Sequence, residues 1–103
     1  MKINYQTLLS KKDANLALHK WRGGLAKVWS YTVSHKVLEI RIIDIQNSNH
    51  FLTILCGDVE SIQGPTVWFE AELNSEIVNN EYIIYDRAAG FEVRAGVLGV
   101  EET

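Results

Sequence analysis

The chain has 103 residues, of which 47% are apolar and 22% charged, and its formal net charge is −3. This size predicts a single domain over residues 1–103, and the composition is typical of a soluble globular protein. No apolar run reaches the roughly 18 residues of a membrane-spanning helix, and the first residues lack the apolar core of a secretory signal. We therefore expect no membrane insertion and a cytoplasmic location, with which the single cysteine agrees.

Charge is distributed unevenly along the chain. Residues 1–41 carry a net charge of +6, and residues 42–103 carry −9. A basic segment can mark a nucleic-acid surface, but here the basic residues are spaced singly rather than clustered. We therefore expect the two halves to face each other within the fold or across an oligomer contact, and we do not expect nucleic-acid binding.

The first predicted element is a helix whose N-terminal cap is Ser10. Gly23-Gly24 ends it, since glycine readily adopts the left-handed conformation found at helix ends. One apolar stripe has the helical spacing i, i+3, i+4, i+7 and consists of Ala14, Ala17, Leu18 and Trp21. If the helix instead began near Asn4, a second apolar side would be formed by Tyr5, Leu8, Leu9 and Leu16.

From Leu25 onward the apolar residues recur with a period of two, which predicts strands. The predicted strands cover residues 25–34, 37–45, 51–56, 66–73, 82–85 and 91–98, with turns at 46–49, 79–80 and 87–90. The second strand is apolar on both faces, as expected of a central strand. A helix followed by about six short strands predicts an α+β fold, in which one N-terminal helix packs on a mostly antiparallel sheet that is free to curl or to close into a barrel.

The segment from Gly57 to Pro65 is the best candidate for a functional region. It is predicted as a polar loop between two strands, and loops carried by a rigid sheet commonly hold functional residues. The candidate ligand- or partner-binding residues lie in this loop or beside it: Cys56, Asp58, Glu60, Ser61, Trp68 and Glu70.

Two kinds of catalytic chemistry are conceivable at this segment. Cys56 is a candidate nucleophile if a histidine lies within reach, although acidic neighbours raise the pKa of a thiol, and a buried structural cysteine is the alternative. Asp58 with Glu60, or Glu70 with Glu72, would form an acid–base pair, with solvated or ion-paired carboxylates as the alternative. No spacing matches a metal site or a phosphate-binding loop, so we expect no metal and no other cofactor.

A single helical stripe can cover only part of one face of such a sheet. Apolar surface left uncovered around Ile43, Ile45 and Trp68 would favour association. We therefore interpret the chain as a small non-enzymatic module that acts by protein contact and forms a homo-oligomer. Two alternatives stay open: a small-ligand-binding protein with its pocket beneath the 57–65 loop and Trp68 as the pocket wall, and an enzyme that uses Cys56 or Asp58 and Glu60.

Overall fold

A computed structural model describes the backbone of residues 11–103 and the side chains of residues 14–103. This part of the chain forms one α-helix and one sheet of seven strands. The elements are α1 (Lys11–Lys20), β1 (Leu25–Thr32), β2 (Val37–Asp44), β3 (Asn47–Gln63), β4 (Val67–Trp68), β5 (Asn74–Val78), β6 (Glu81–Asp86) and β7 (Phe91–Glu102), with a 3₁₀ turn at Val33–His35 between β1 and β2.

The sheet is antiparallel throughout, and its strand order is β4-β1-β2-β3-β7-β6-β5. It curls into a half-barrel, with the apolar core on its inner side. Register shifts between Val28 and Ser30 in β1, and between Val59 and Ser61 in β3, mark bulges, which bend strands locally. The predicted α+β fold with one helix on an antiparallel sheet is confirmed.

The helix packs on the inner side of the sheet through the predicted stripe. Ala14, Leu18 and Trp21 are buried together with inner-face residues of β1, β2 and β3. Ala17 is half-buried, and Leu16 is exposed. The predicted cap at Ser10 and the alternative helix start near Asn4 lie outside the described residues.

Residues 64–73, which we call the crossing segment, connect the two ends of the sheet. At one end of the sheet, Trp68 pairs with Ala26 of β1, and Ala71 exchanges backbone hydrogen bonds of 2.9 and 3.0 Å with Gly23 and Gly24. Toward the other end, the indole ring of Trp68 lies 4.6 Å from the ring of Phe91 in β7. The crossing segment thereby helps to close the open side of the half-barrel over the core.

The predicted loop over residues 57–65 is wrong, because Gly57 to Gln63 continue β3 and pair with β7. The backbone leaves regular strand geometry at Asp58, whose φ is 55°. Gly96 of β7 makes room for it, since a Cβ atom at Gly96 would lie 3.0 Å from Oδ2 of Asp58. Pairing with a distant strand therefore outweighs the low strand propensity of glycine and aspartate.

The predicted strand over residues 66–73 is also wrong beyond Trp68. Glu70 has a φ of 51°, which ends the strand, so Glu70 and Glu72 do not share a strand face. Alternation along this predicted strand places Val67, Phe69, Ala71 and Leu73 on one face and Trp68 on the other. This assignment is wrong at residues 67–69, because Trp68 points into the core while Val67 and Phe69 are exposed; Ala71 and Leu73 are both buried.

One strand was not predicted, and the bounds of others differ, as in β7, which continues to Glu102 rather than ending at residue 98. Strand β5 begins with the polar sequence Asn74-Ser75-Glu76, so it lacks the alternating apolar residues that predict a strand. Strand β3 starts at Asn47 rather than Phe51, after a turn at residues 45–46. The turns at 79–80 and 87–90 are confirmed, and Asn79 and Asn80 have φ values of 51° and 65°.

Candidate functional site

The six residues singled out from the sequence lie in different environments. Cys56 and Trp68 are buried in the core. The exposed residues of the set lie along the second half of β3 or just after β4: Asp58, Glu60, Ser61 and Glu70.

Cys56 lies on the inner face of β3, opposite Leu38 of β2 and Leu98 of β7. Its thiol is fully buried and unpaired, and this burial raises its pKa to about 12. A nucleophilic cysteine needs a lowered pKa and access to solvent. The environment therefore fits the structural alternative and argues against a role as nucleophile.

Trp68 is held by the core rather than presented to solvent. Its indole N–H donates a 2.8 Å hydrogen bond to Oδ2 of Asp86, whose side chain is also buried. A tryptophan in such a position contributes to stability, and its ring edge has no free donor for a ligand.

The outer face of the sheet, on the side opposite the core, is the surface that the described helix leaves uncovered. Its composition follows from the strand register. Because Ala26, Ile42 and Leu52 form a buried row on the inner face, the neighbouring row points outward and consists of Leu25, Ile43 and Phe51. The next outward row crosses five strands and consists of Val67, Lys27, Arg41, Thr53 and Glu101.

Apolar side chains on this face reach solvent. Trp29 is 49% exposed and Val67 is 52% exposed, while Leu25, Ile43 and Phe51 are half-buried. We call these five residues the outer patch. Phe69, just after β4, is 72% exposed.

An ion pair lies within the outer patch. Nε of Arg41 donates a 2.7 Å hydrogen bond to Oε2 of Glu39, and the side chains are only 25% and 5% exposed. The guanidinium carbon of Arg41 lies 3.9 Å from the ring centre of Trp29 and 4.6 Å from that of Phe51. Stacking and ion pairing together fix the arginine in one orientation.

The outer face also holds a polar group without a partner. Ser30 pairs with Glu39 in the strand register, and its Oγ is buried without a hydrogen-bond partner among the described residues. Buried hydroxyls normally have such a partner. This position and the ion pair lie on the outer face beside the apolar residues of the outer patch, and the neighbouring row adds the polar residues Lys27, Thr53 and Glu101.

A surface cavity of about 430 Å³ opens where α1 ends. Trp21 forms one wall, with its Nε1 donating a 2.8 Å hydrogen bond to Glu102 and its ring 4.5 Å from the ring of His50. Lys20 lies 3.0 Å from Glu102, and its hydrogen bond holds the pKa of that carboxyl below its usual value. The polar groups around this cavity largely form hydrogen bonds and ion pairs with one another, so few donors or acceptors remain for a ligand.

A second cavity of about 390 Å³ lies near the other end of the sheet, on β5, β6 and β7. The hydroxyl of Tyr85 donates a 3.2 Å hydrogen bond to Glu76, and Arg87 lies 5.1 Å from the ring of Tyr85. Desolvation and the Glu76 carboxylate raise the pKa of Tyr85. Glu92 and Arg94 lie 3.7 Å apart in the same cavity, so its charges are paired internally.

Within residues 11–103, no three histidine, cysteine or acidic side chains are arranged to hold a metal ion. In the same part of the chain, no helix has the length and apolar character needed to cross a bilayer. Comparisons with protein-family models, curated proteins and solved structures found no match. The best candidate site is therefore the outer patch, together with the ion pair that it surrounds.

Proposed function

We propose that this protein is a non-enzymatic interaction module that acts by protein contact and self-associates through the outer patch. The observation that carries the proposal is the outer patch, a group of large apolar side chains on the outer face of which Trp29 and Val67 are about half exposed and the others half-buried. Monomeric proteins rarely leave such regions exposed, because burying apolar surface is worth roughly 25 cal/mol per Å². A second copy offers a matching apolar surface.

The Arg41 arrangement supports the same proposal. Arginine and tryptophan are enriched among the residues that dominate binding energy. Arg41 is already held by Glu39 and stacked on Trp29, so it loses little conformational entropy when a partner covers it. A partner that covers Arg41 also removes the water that remains around it. The desolvation penalty is smaller for a charge that is already paired, as Arg41 is with Glu39, than for an unpaired charge.

The chemistry of the candidate residues supports a non-enzymatic role. The raised pKa of Cys56 disfavours its thiolate, and the carboxylates Asp58 and Glu60 lie exposed on a strand. A free, reduced cysteine fits a cytoplasmic location, which belongs to this proposal.

The test is the concentration dependence of mass, measured by sedimentation equilibrium and native mass spectrometry. We expect a dimer with a dissociation constant on the order of 1–100 µM, as is typical of small transient interfaces. Val67→Asp should weaken association by at least about tenfold, because it places a charge in the outer patch.

The matched control is Val33→Asp, at a residue that is 73% exposed in the 3₁₀ turn, away from the outer patch. It should leave association unchanged. A chain that stays monomeric at about 1 mM, on the order of ten times the upper end of the expected range, would refute the proposal.

A further inference from the structure

We propose that two copies of this chain pack outer face to outer face about a two-fold axis that runs parallel to the strands between β2 and β3. Lys27 of one copy then lies against Glu101 of the other. This inference rests on the proposed function and adds the arrangement of the two copies and the charged pair that selects it.

The first step concerns the charges on the outer face. Lys27 of β1 and Glu101 of β7 lie in the same outward row, with Arg41 and Thr53 between them. Neither Lys27 nor Glu101 forms an ion pair with another described residue. They are three strand spacings apart, roughly 14 Å, so they do not meet within one chain.

The second step is symmetry. The axis lies in the plane between the two stacked sheets and runs parallel to their strands. Rotation about it places each row of residues that runs across the strands opposite the same row of the other copy, with the order of the strands reversed. With the axis between β2 and β3, each Lys27 faces the other copy's Glu101, and each Arg41 faces Thr53. In the neighbouring row each Ile43 meets Phe51, an apolar contact. Strands of the two sheets remain roughly aligned, as in common sheet packing.

Other positions of the axis fit less well. An axis on β2 would place Arg41 against its own copy, which brings like charges together. An axis on β3 would place Glu101 opposite Arg41, which is already paired with Glu39, and would place Lys27 over β6, which has no residue paired with Glu101. The position between β2 and β3 is therefore the one that satisfies both free charges.

The third step is shape. The row next to the charged row contains Glu39, Leu55 and Gly99, and Trp29 projects from the bulge beside Glu39. The same axis places β1 of one copy over β7 of the other, so the backbone at Trp29 lies opposite Gly99, which has no side chain. Two convex faces diverge away from the axis, and the long side chain of Lys27 stands where that gap must be bridged, while the Trp29 ring lies over Arg41, closer to the axis.

The experiment compares single and double charge reversals in the full chain by sedimentation equilibrium. Lys27→Glu alone and Glu101→Lys alone should each weaken association by about tenfold or more, because each creates two like-charged contacts. The double variant Lys27→Glu, Glu101→Lys should restore association to within about threefold of the original, since the pair is reversed on both copies. Lys36→Glu, an exposed charge reversal outside the outer patch, is the matched control and should have no effect.

A carbodiimide cross-link gives an independent readout. Mixed ¹⁵N-labelled and unlabelled chains should yield a Lys27–Glu101 amide that joins one labelled and one unlabelled peptide. A chain that dimerises while all charge variants bind equally, or whose double variant is not rescued, overturns this arrangement and leaves the proposed function standing. A chain that never dimerises overturns both.

Discussion

The indole N–H of Trp68 donates a 2.8 Å hydrogen bond to Oδ2 of Asp86, and this bond joins β4 at one edge of the sheet to β6 near the other. The same oxygen accepts a 2.8 Å hydrogen bond from the backbone N–H of Glu72, and Oδ1 accepts one of 3.2 Å from Ala89. One buried carboxylate thus anchors the crossing segment and the turn between β6 and β7.

Removing either partner of this bond should destabilise the fold. We expect Trp68→Phe to lower the free energy of unfolding by about 2 kcal/mol and Asp86→Ala by about 4 kcal/mol, because the second change leaves three donors without their acceptor. Urea unfolding followed by circular dichroism measures both. Trp29→Phe is the control, since Trp29 is half-exposed, and it should cost less than about 1 kcal/mol. Equal losses for the two tryptophans would contradict this account.

The thiol of Cys56 should be unreactive in the folded protein. Its pKa of about 12 and full burial leave almost no accessible thiolate at neutral pH. We expect alkylation by iodoacetamide to occur only at the rate of unfolding, and to become fast in urea. Rapid labelling of the native protein at pH 7 would contradict the buried assignment and reopen the nucleophile hypothesis.

The same thiol predicts a pH dependence of stability. Above pH 9 the unfolded chain releases the Cys56 proton while the native chain retains it, so the stability contributed by this group is complete below pH 9 and is lost toward pH 12. The loss is about 1.4 kcal/mol per pH unit in that window. Urea titrations at pH 8, 9 and 10 compare the protein with Cys56→Ala, which removes this group while retaining the Tyr85 titration. Parallel stability curves for the two proteins would disprove the linkage.

Asn15 of α1 protects the edge strand β5. Its side-chain amide donates a 3.0 Å hydrogen bond to the carbonyl of Ser75 and accepts one of 2.8 Å from the Ser75 N–H. Asn15→Ala should cost about 2 kcal/mol and speed hydrogen exchange at Ser75, because both backbone groups lose their partner. Leu16→Ala, at the exposed neighbouring position, should change neither. Unaltered exchange at Ser75 in the Asn15 variant would show that the contact is dispensable.

Gly64 and Gly23 provide a matched pair of glycine substitutions. Both have positive φ, 117° and 89°, but a Cβ atom at Gly64 would lie 2.6 Å from the carbonyl oxygen of Gly90, whereas one at Gly23 meets nothing within 4 Å. Gly23→Ala should cost about 1–2 kcal/mol from backbone strain alone. Gly64→Ala should cost at least about 2 kcal/mol more, because the backbone must shift. Thermal unfolding measures both, and similar losses would argue against the close approach.

Local patterns in the sequence predict those elements that local interactions determine. The stripe of Ala14, Leu18 and Trp21 is buried as its helical spacing indicates. Residues 57–63 could not be recognised as a strand, because the partner that makes them one is β7, more than 30 residues away for most pairs. Glycine and aspartate locally favour turns, and only the tertiary pairing overrides that preference.

The orientation of the crossing segment shows a second limit of prediction from the sequence. Val67, Trp68 and Phe69 are all large and apolar, so alternation does not decide which of them points inward, and a shift of one residue exchanges the faces. The buried acceptor on Asp86 decides it, and that contact is not visible in the spacing. The Arg41 arrangement was missed for a similar reason, because the bulge at Trp29 brings the two side chains together.

The covered edges of the sheet also restrict how copies can assemble. Strand β4 is only two residues long, and in β5 the backbone N–H and carbonyl of Ser75 are occupied by Asn15. Both features shorten the free backbone available for the strand-by-strand addition that builds amyloid-like fibrils. Association through the convex outer face about a two-fold axis, as we propose, stops at two chains, so this arrangement favours a closed particle over an open-ended filament.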